Sequence, residues 1–294
     1  MRVASDDSGE WTRGERQAAV LGSPIAHSLS PVLHLAAYRA LGLNWRYRAI
    51  EVEPAGLVDF VAGCDESWAG LSLTMPLKEA VLDLLDEADD LVRLTGAANT
   101  LVFRGGRRLG FNTDVYGMGA ALREGGIPDG ARRAAVIGAG ATARSAVVAL
   151  SQLGIEVIDI VARRPEAAAQ PLRLARELGV AARALPWDSA AQALGAEVVV
   201  STVPAGAADS LSVLVPDLVS VSVPELFPGG PGLLLDVVYS PWPTALARQW
   251  RAFGGKVVGG LSMLTWQAAE QVHLMTGRDA PVEKMRKAGE AALI

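Results

Sequence analysis

Residues 132–150 read RRAAVIGAGATARSAVVAL, a run that changes from a strand pattern to a helix pattern across a glycine-rich turn. The apolar stretch before Gly138 is typical of a buried strand, and the alanine-rich stretch after Ala143 is typical of a helix. Between them, residues 138–143 fit the pattern G-x-G-x-x-A. In this context Gly138 permits a tight turn, Gly140 lets a pyrophosphate approach the backbone, and the small Ala143 lets the helix pack on the strand. The stretch therefore predicts a dinucleotide-binding unit, with the phosphates at the N-terminus of the helix.

The rest of the chain also alternates between strand and helix patterns. Near-continuous apolar strands at 155–162, 197–202 and 232–239 are separated by helical stretches, which indicates a parallel sheet covered on both faces. Before them, a strand at 17–22 leads to a helix at 31–43, for which Ser30 is the expected N-cap. We predict an α/β protein of two domains. The N-terminal α/β substrate domain comprises residues 1–116 plus 259–294, and residues 117–258 form a Rossmann-like, doubly wound nucleotide-binding domain.

Composition excludes several other classes of protein. The chain has 294 residues, a length typical of two domains, and a net charge of -5, which argues against a general nucleic-acid binder. One cysteine excludes an internal disulfide, and three separated histidines argue against a histidine-based metal site. The polar first 17 residues lack the apolar core of a signal peptide, and no apolar run reaches the roughly 18 residues that a membrane helix needs. We therefore expect a cytoplasmic protein with no bound metal, no membrane partner and no nucleic-acid partner.

The end of the second predicted strand decides between NAD and NADP. Asp159 follows Gly138 at a distance typical of an acid that binds the ribose of NAD. However, Ile160 and Val161 continue the strand, which places Asp159 inside it. The strand instead ends at Arg163 and Arg164, two guanidinium groups that suit the 2′-phosphate of NADP. We predict NADP as the cofactor, while a solvated basic pair is the alternative interpretation.

Four clusters of polar residues lie at predicted strand ends in the N-terminal half: GSPIAHSLSP at 22–31, SLTMPLK at 72–78, AANT at 97–100 and GFNTD at 110–114. Ser28 and Ser30 lie two residues apart in an extended turn, so their hydroxyls would point the same way and suit a carboxylate. Alternation places Ser72 and Thr74 on one strand face, with Lys78 just beyond a Pro turn. Taken singly, each cluster has a structural alternative: a helix cap, a solvated lysine, or Asn and Asp as turn formers.

In this order and spacing, the clusters resemble the shikimate dehydrogenase family. The segments GSPIAHSLSP, LTMPLK, ANT, FNTD, GAGATAR and GGLSMLTWQ all have counterparts there, so the resemblance extends from about residue 18 to about residue 290. The family interconverts 3-dehydroshikimate and shikimate reversibly with NADP(H), in the biosynthesis of aromatic amino acids. The resemblance thus implies a small-molecule substrate, and the chain would act as a monomer or homodimer.

The resemblance also implies a role for each matching residue. Lys78 and Asp114 would form the catalytic pair. The substrate would be bound by Ser28, Ser30, Thr74, Asn99, Asp114, Tyr239 and Gln267, of which the two serines and Tyr239 would hold its carboxylate. The cofactor would be bound by Gly138, Ala139, Gly140, Ala141, Arg163, Arg164, Gly260 and Met263.

The chain departs from the family's pattern at five positions. Many members have Asn where this chain has Ser72, so one substrate hydrogen bond is not carried over. Many also read Asn-Arg-Thr where this chain has Ala162, Arg163 and Arg164, so an adenosine contact of that Asn is lost, and Arg164 could compensate for it. An Asp is frequent at the positions of Phe111 and Gly259. None of these departures removes Lys78 or Asp114.

Three alternatives stay open at the level of sequence. A quinate/shikimate dehydrogenase of broader substrate range could use NAD, although two arginines and no terminal acid at the second strand disfavour it. A methylenetetrahydrofolate dehydrogenase-like enzyme could share the two-domain plan, but Ser28 and Ser30 argue against it. A non-catalytic dinucleotide-binding protein would not need Lys78 or Asp114.

Overall fold

The computed structural model describes residues 15–216 and 231–293, and this part of the chain forms two six-stranded sheets. The polar opening segment, residues 1–17, lies mostly outside the described residues. Its last two residues already belong to the first strand, which begins at Arg16. Gln17 is buried there and donates a hydrogen bond to the Ser67 hydroxyl at 2.9 Å.

The first sheet has the strand order β2-β1-β3-β5-β6-β4. Strands β1, β2 and β3 are parallel, β5 is antiparallel to both β3 and β6, and the short β4 is parallel to β6. The strands are β1 Arg16–Gly22, β2 Trp45–Glu51, β3 Trp68–Leu73, β4 Glu87–Ala88, β5 Thr100–Arg104 and β6 Arg107–Phe111. The helices of this part are α1 Ser30–Ala40, α2 Pro54–Ala62, α3 Leu77–Ala80, α4 Asp90–Thr95 and, after β6, α5 Thr113–Glu124.

The second sheet has the order β12-β11-β10-β7-β8-β9, and all of its strand pairs are parallel. Its strands are β7 Arg133–Ile137, β8 Val157–Ala162, β9 Ala181–Pro186, β10 Val198–Ser201, β11 Leu233–Asp236 and β12 Lys256–Gly259. The connecting helices are α6 Ala141–Gln152, α7 Ala169–Glu177, α8 Ala191–Leu194 and α9 Ala245–Ala252. Short 3-10 helices occur at Leu82–Leu84, Pro165–Ala168, Trp187–Ser189 and Asp209–Leu214. The chain ends with α10 Gly260–Thr276 and α11 Val282–Ala291.

Both faces of the second sheet are buried, as its near-continuous apolar strands predict. Successive residues of a strand point to opposite faces. Val136 therefore joins the core beneath α6 and α7, while Ile137 joins the core beneath α8 and α9. The prediction of a doubly wound α/β unit is confirmed. The last two helices do not cover this sheet, since α10 and α11 pack on α1 in the first unit.

The predicted N-cap at Ser30 is wrong. Leu29 already has helical backbone angles, and its carbonyl accepts a hydrogen bond from the Leu33 amide at 3.1 Å. Ser30 is therefore the first helical residue, and its hydroxyl does not cap the helix. The helix also ends at Ala40, earlier than the predicted residue 43, because the chain turns at Gly42 with a positive φ of 66°.

Helix α5 lies at the junction of the two units and packs against α10 on one side and α6 on the other. Gly117 allows the close approach to α10, since a Cβ there would lie 2.8 Å from the Cβ of Gln267 and 2.8 Å from the Met263 carbonyl oxygen. The packing brings the start of α5 beside the middle of α10.

Arg144 on α6 ties the second sheet to the first unit. Its buried guanidinium donates to the Thr95 carbonyl at 2.5 Å and the Gly96 carbonyl at 3.3 Å, both at the end of α4. It also forms an ion pair with Glu79 on α3 at 2.6 Å. The helix that follows the glycine-rich turn is thereby held against the segment that carries Lys78.

No helix in the described ranges combines the length and the apolar composition that a membrane span requires.

Candidate active site

A cavity of about 910 Å³ lies between the two units, which is within the usual size range of small-molecule sites. It is bounded by the turn before α1, the β3–α3 turn, the start of α5, the glycine-rich turn and α10. Thirteen of the sequence-predicted site residues line it: Ser28, Ser30, Thr74, Lys78, Asp114, Gly138, Ala139, Gly140, Ala141, Tyr239, Gly260, Met263 and Gln267. The other three, Asn99, Arg163 and Arg164, do not contribute to its wall.

Lys78 and Asp114 form an ion pair in the cavity wall, with 2.5 Å between Nζ and Oδ2. The side chain of Lys78 is 15% exposed and that of Asp114 is 5% exposed. Asp114 lies in the first turn of α5, which Asn112 caps by accepting a hydrogen bond from the Asp114 amide at 3.2 Å. The positive end of the helix dipole therefore supports the carboxylate. This pair provides an ammonium group, held by its neighbour, at the surface of a cavity.

Asn99 lies behind this pair and fixes the orientation of the Asp114 and Gln267 side chains. Its Oδ1 accepts the Thr113 backbone N–H at 2.8 Å, and since that N–H can only donate, the orientation of the amide follows. Its Nδ2 then donates to Oδ1 of Asp114 at 2.8 Å and to Oε1 of Gln267 at 2.9 Å. The amino group of Gln267 is therefore the donor that this side chain offers to the cavity. Asn99 orients two cavity-lining groups from outside the wall.

The end of the cavity at α1 is lined by hydroxyl groups. Ser28 and Ser30 both contribute there, and Oγ of Ser28 accepts the Ser30 amide at 3.3 Å. Burial raises the pKa of Tyr239, an effect that a hydrogen bond with the Leu29 backbone partly offsets. Three hydroxyls beside the N-terminus of a helix are suited to bind a carboxylate.

The glycine-rich turn at the opposite end fits a pyrophosphate. Gly138 has a φ of 114°, and a Cβ there would meet the Thr202 hydroxyl at 2.3 Å, so only glycine fits without displacement. An added Cβ at Gly140 would meet nothing within 4 Å, which leaves open space in front of the backbone. No side chain caps the N-terminus of α6. Its N–H groups and helix dipole can therefore receive an anion.

Arg163 and Arg164 follow the carboxyl end of β8, the neighbour of β7, and both are exposed. Asp159 is buried within β8, as predicted, where Arg183 binds it with 2.6 Å between Nε and Oδ1. A buried, paired carboxylate inside the strand is not available to a ribose. The two arginines are therefore the charged groups at this strand end.

The sequence interpretation missed two residues beside the site. Tyr47 and Gln271 both hydrogen-bond Ser72, at 2.6 and 2.8 Å. Gln271 lies one helical turn after Gln267, a spacing that places both on one face of α10 and could have revealed it. Tyr47, on β2, carries no comparable signal. Among the described residues, no group of three or more His, Cys, Asp or Glu side chains could hold a metal ion.

Comparisons with known proteins agree with this arrangement. A model of the shikimate dehydrogenase substrate-binding domain matches residues 20–101, and a model of the shikimate 5′-dehydrogenase C-terminal domain matches residues 260–288. The shikimate dehydrogenase (NADP(+)) of Symbiobacterium thermophilum is 37% identical over 290 residues, covering 95% of this chain and 95% of the relative. The chain belongs to the shikimate dehydrogenase family.

Solved structures of the family have the same fold. The shikimate dehydrogenase of Mycobacterium tuberculosis is 44% identical, with a TM-score of 0.83 over 94% of this chain and 99% of that one. The shikimate 5-dehydrogenase of Thermus thermophilus, solved with NADP(H) and shikimate, is 37% identical, with a TM-score of 0.79 over 95% of this chain and 100% of that one. The predicted family and the predicted two-part α/β fold are confirmed.

Proposed function

We propose that the protein is a shikimate dehydrogenase that reduces 3-dehydroshikimate to shikimate with NADPH, reversibly, in the biosynthesis of aromatic amino acids. The observation that carries this proposal is a single cavity with three distinct parts. Hydroxyl groups suited to a carboxylate line one end, the glycine-rich turn lines the other, and the Lys78–Asp114 pair lies in the same wall. This combination matches a small hydroxy acid next to a dinucleotide.

The substrate is held at two places in this proposal. Ser28, Ser30 and Tyr239 bind its carboxylate, and Thr74 and Gln267 bind its ring hydroxyls. Asn99 contributes by fixing Gln267 and Asp114 in place. Binding at both ends of a rigid ring restricts rotation, so that the reacting carbon faces the cofactor side.

Lys78 and Asp114 act on the reacting oxygen. In reduction, the ammonium of Lys78 stabilises the negative charge that develops on the carbonyl oxygen and donates a proton to it. In oxidation, the amine takes up the proton of the hydroxyl. Asp114 holds the Lys78 side chain in position throughout, through the contact of 2.5 Å. Both residues would thus serve as the catalytic pair.

The nucleotide is held at residues 138–141, Gly260 and Met263, with Arg163 and Arg164 on its adenosine 2′-phosphate. When bound, NADPH supplies the hydride for the reduction. Gly260 lines the cavity at the start of α10, and glycine is needed there because a Cβ would lie 2.0 Å from the Val237 carbonyl oxygen. The open space at Gly140 and the uncapped helix support the same placement.

The function can be tested by following the absorbance of the reduced nicotinamide with four pairs of reactants. Shikimate and quinate are each offered with NADP and with NAD. We expect shikimate with NADP to give the highest kcat/KM. Comparable rates with quinate or NAD would instead indicate the broader enzyme, and no turnover with any pair would indicate a binding protein.

The choice of NADP depends on Arg163 in this proposal. A hydrogen bond to a charged group contributes about 1.5–3 kcal/mol, so Arg163→Ala should weaken NADP binding roughly ten- to a hundredfold. NAD lacks the 2′-phosphate, and its affinity should stay nearly unchanged. Titration of both nucleotides, followed by tryptophan fluorescence, measures the two dissociation constants.

Arg132→Ala is the matched control, because it removes the same charge at the opposite end of the same sheet. Arg132 is exposed and precedes β7. It should leave both affinities unchanged. Equal losses of NADP and NAD in Arg163→Ala would mean that this residue does not select the phosphate.

We also propose residues 1–116 plus 259–294 as the substrate-binding domain and residues 117–258 as the nucleotide-binding domain. The strands support this division, since β1–β6 lie in the first range and β7–β12 in the second, apart from Gly259, the last residue of β12; α5 spans the junction. A cytoplasmic location, a monomeric or homodimeric state, and the absence of nucleic-acid, membrane and metal partners complete the proposal. The net charge of -5 and the small number of cysteines and histidines support it.

A further inference from the structure

Ser72 lies in the cavity wall at the end of β3 with its hydroxyl between two side chains. Ser72 is 3% exposed, and both Ser72 and Gln271 line the cavity. Oγ of Ser72 lies 2.6 Å from the Tyr47 hydroxyl and 2.8 Å from Oε1 of Gln271. A hydroxyl has one proton and two lone pairs, so these two contacts restrict what Ser72 can offer to a ligand.

The orientation of the Gln271 amide determines where the Ser72 proton goes. One end of this amide lies 3.2 Å from the Asn99 backbone carbonyl and 2.9 Å from the Thr100 hydroxyl. A backbone carbonyl only accepts hydrogen bonds, so that end must be the amino group. The other end is Oε1, which can only accept. It therefore takes the single proton of the Ser72 hydroxyl.

Tyr47 occupies one of the two lone pairs of Ser72. Burial raises the pKa of Tyr47, so its hydroxyl keeps its proton at neutral pH. The ring is held in place by stacking on His34, with 3.9 Å between ring centroids. Because the proton of Ser72 is directed to Gln271, Tyr47 must donate to Ser72. One lone pair of the Ser72 hydroxyl is then left over.

We propose that Gln271 is a positioning residue that makes Ser72 a pure hydrogen-bond acceptor at this point of the cavity wall. The site then selects a substrate with a donor, a ring hydroxyl, at the adjacent position, and disfavours a group without a proton. This proposal rests on the proposed function and adds a determinant of substrate specificity to it. Tyr47 donates a hydrogen bond to Ser72, but Gln271 determines where the Ser72 proton points.

Fluorinated substrate analogues test this polarity, because fluorine is small and electronegative but carries no proton. Each ring hydroxyl of shikimate is replaced in turn, and the dissociation constant of each analogue is divided by that of shikimate. When the hydroxyl beside Ser72 is replaced by fluorine, the buried Ser72 oxygen loses the ligand hydroxyl that donates a hydrogen bond to it. We expect the fluorinated analogue to bind about ten- to a hundredfold more weakly there.

Gln271→Met removes the acceptor and frees the Ser72 proton to turn toward the ligand. The ratio at that one position should then fall to within about threefold of unity, while the ratios at the other positions stay as in the wild type. Tyr47→Phe is the matched control and should keep the wild-type ratio, since the direction of the Ser72 proton does not depend on Tyr47.

An unchanged ratio in Gln271→Met, or a collapse of the ratio in Tyr47→Phe, would overturn the proposal. If Gln271→Met does not fold, Ser72→Ala removes the acceptor itself and should lower the ratio at the same single position; an unchanged ratio there would overturn it equally. Turnover of shikimate by the wild type separates the two hypotheses. If the wild type does not turn over shikimate, the proposed function is wrong. If it does, an unchanged ratio of dissociation constants in Gln271→Met contradicts only the role of Gln271.

Discussion

Replacing Lys78 with alanine is expected to lower kcat for shikimate oxidation by about 10²–10⁴-fold, the usual contribution of a general acid or base. The reason is its position in the cavity wall, where the ammonium is 2.5 Å from Asp114 and faces the space that the substrate would fill. The KM for shikimate should change much less, because Ser28, Ser30 and Gln267 still hold the substrate. Steady-state kinetics separate these two quantities.

Lys284→Ala is the matched control for this prediction. Lys284 is an exposed lysine on α11, away from the cavity, and its loss should leave kcat unchanged. The opposite result for Lys78→Ala, an increase in KM with kcat unchanged, would mean that Lys78 only binds the substrate. The proton transfer would then need another residue.

Asp114→Asn is expected to reduce kcat by a similar order, about 10²-fold, although the amide keeps the shape of the carboxylate. The neutral group no longer holds the ammonium of Lys78 by charge. Since Asp114 acts through Lys78, the double variant Lys78→Ala/Asp114→Asn should be little worse than Lys78→Ala alone. Kinetics of the wild type, both single variants and the double variant complete the cycle.

Strictly multiplicative losses in this cycle would contradict the paired mechanism, because independent residues add their free energies. Circular dichroism of each variant serves as the control for folding. Asn99 donates a hydrogen bond to the Asp114 carboxylate at 2.8 Å and so helps to hold it in place, but it does not contact Lys78 through this bond. Asn99→Ala should therefore reproduce only part of the loss.

Local patterns in the sequence predicted much of the fold and most of the cavity. The glycine-rich turn, its strand and its helix follow from residues that are neighbours in the chain. The location of Asp159 inside β8 follows from the apolar residues after it, and the structure confirms it. Ser30 shows the limit of such patterns. Serine is a typical N-cap residue, yet Leu29 occupies the cap position and Ser30 is already the first residue of the helix.

The features that the sequence did not predict depend on contacts between distant parts of the chain. Ser72 and Gln271 are 199 positions apart, and Arg144 and Thr95 are 49 positions apart. No periodicity in the sequence reveals such pairs, because they form only when segments that are distant in the chain pack together. Asn99 is an intermediate case: its importance was predicted, but its location behind the wall required the structure.

The contacts of Arg144 have a consequence for the way in which the protein denatures. If the first unit unfolded alone, the guanidinium would lose the Thr95 and Gly96 carbonyls and the Glu79 carboxylate while its helix stayed folded. Gln170 would still accept a hydrogen bond from the guanidinium, but the loss of the other charge-assisted hydrogen bonds, at about 1.5–3 kcal/mol each, makes separate unfolding of the first unit less favourable. The two units are therefore expected to melt together, as one heat-absorption peak in scanning calorimetry. Arg144→Met, which removes the charge and keeps much of the volume, should split that peak into two.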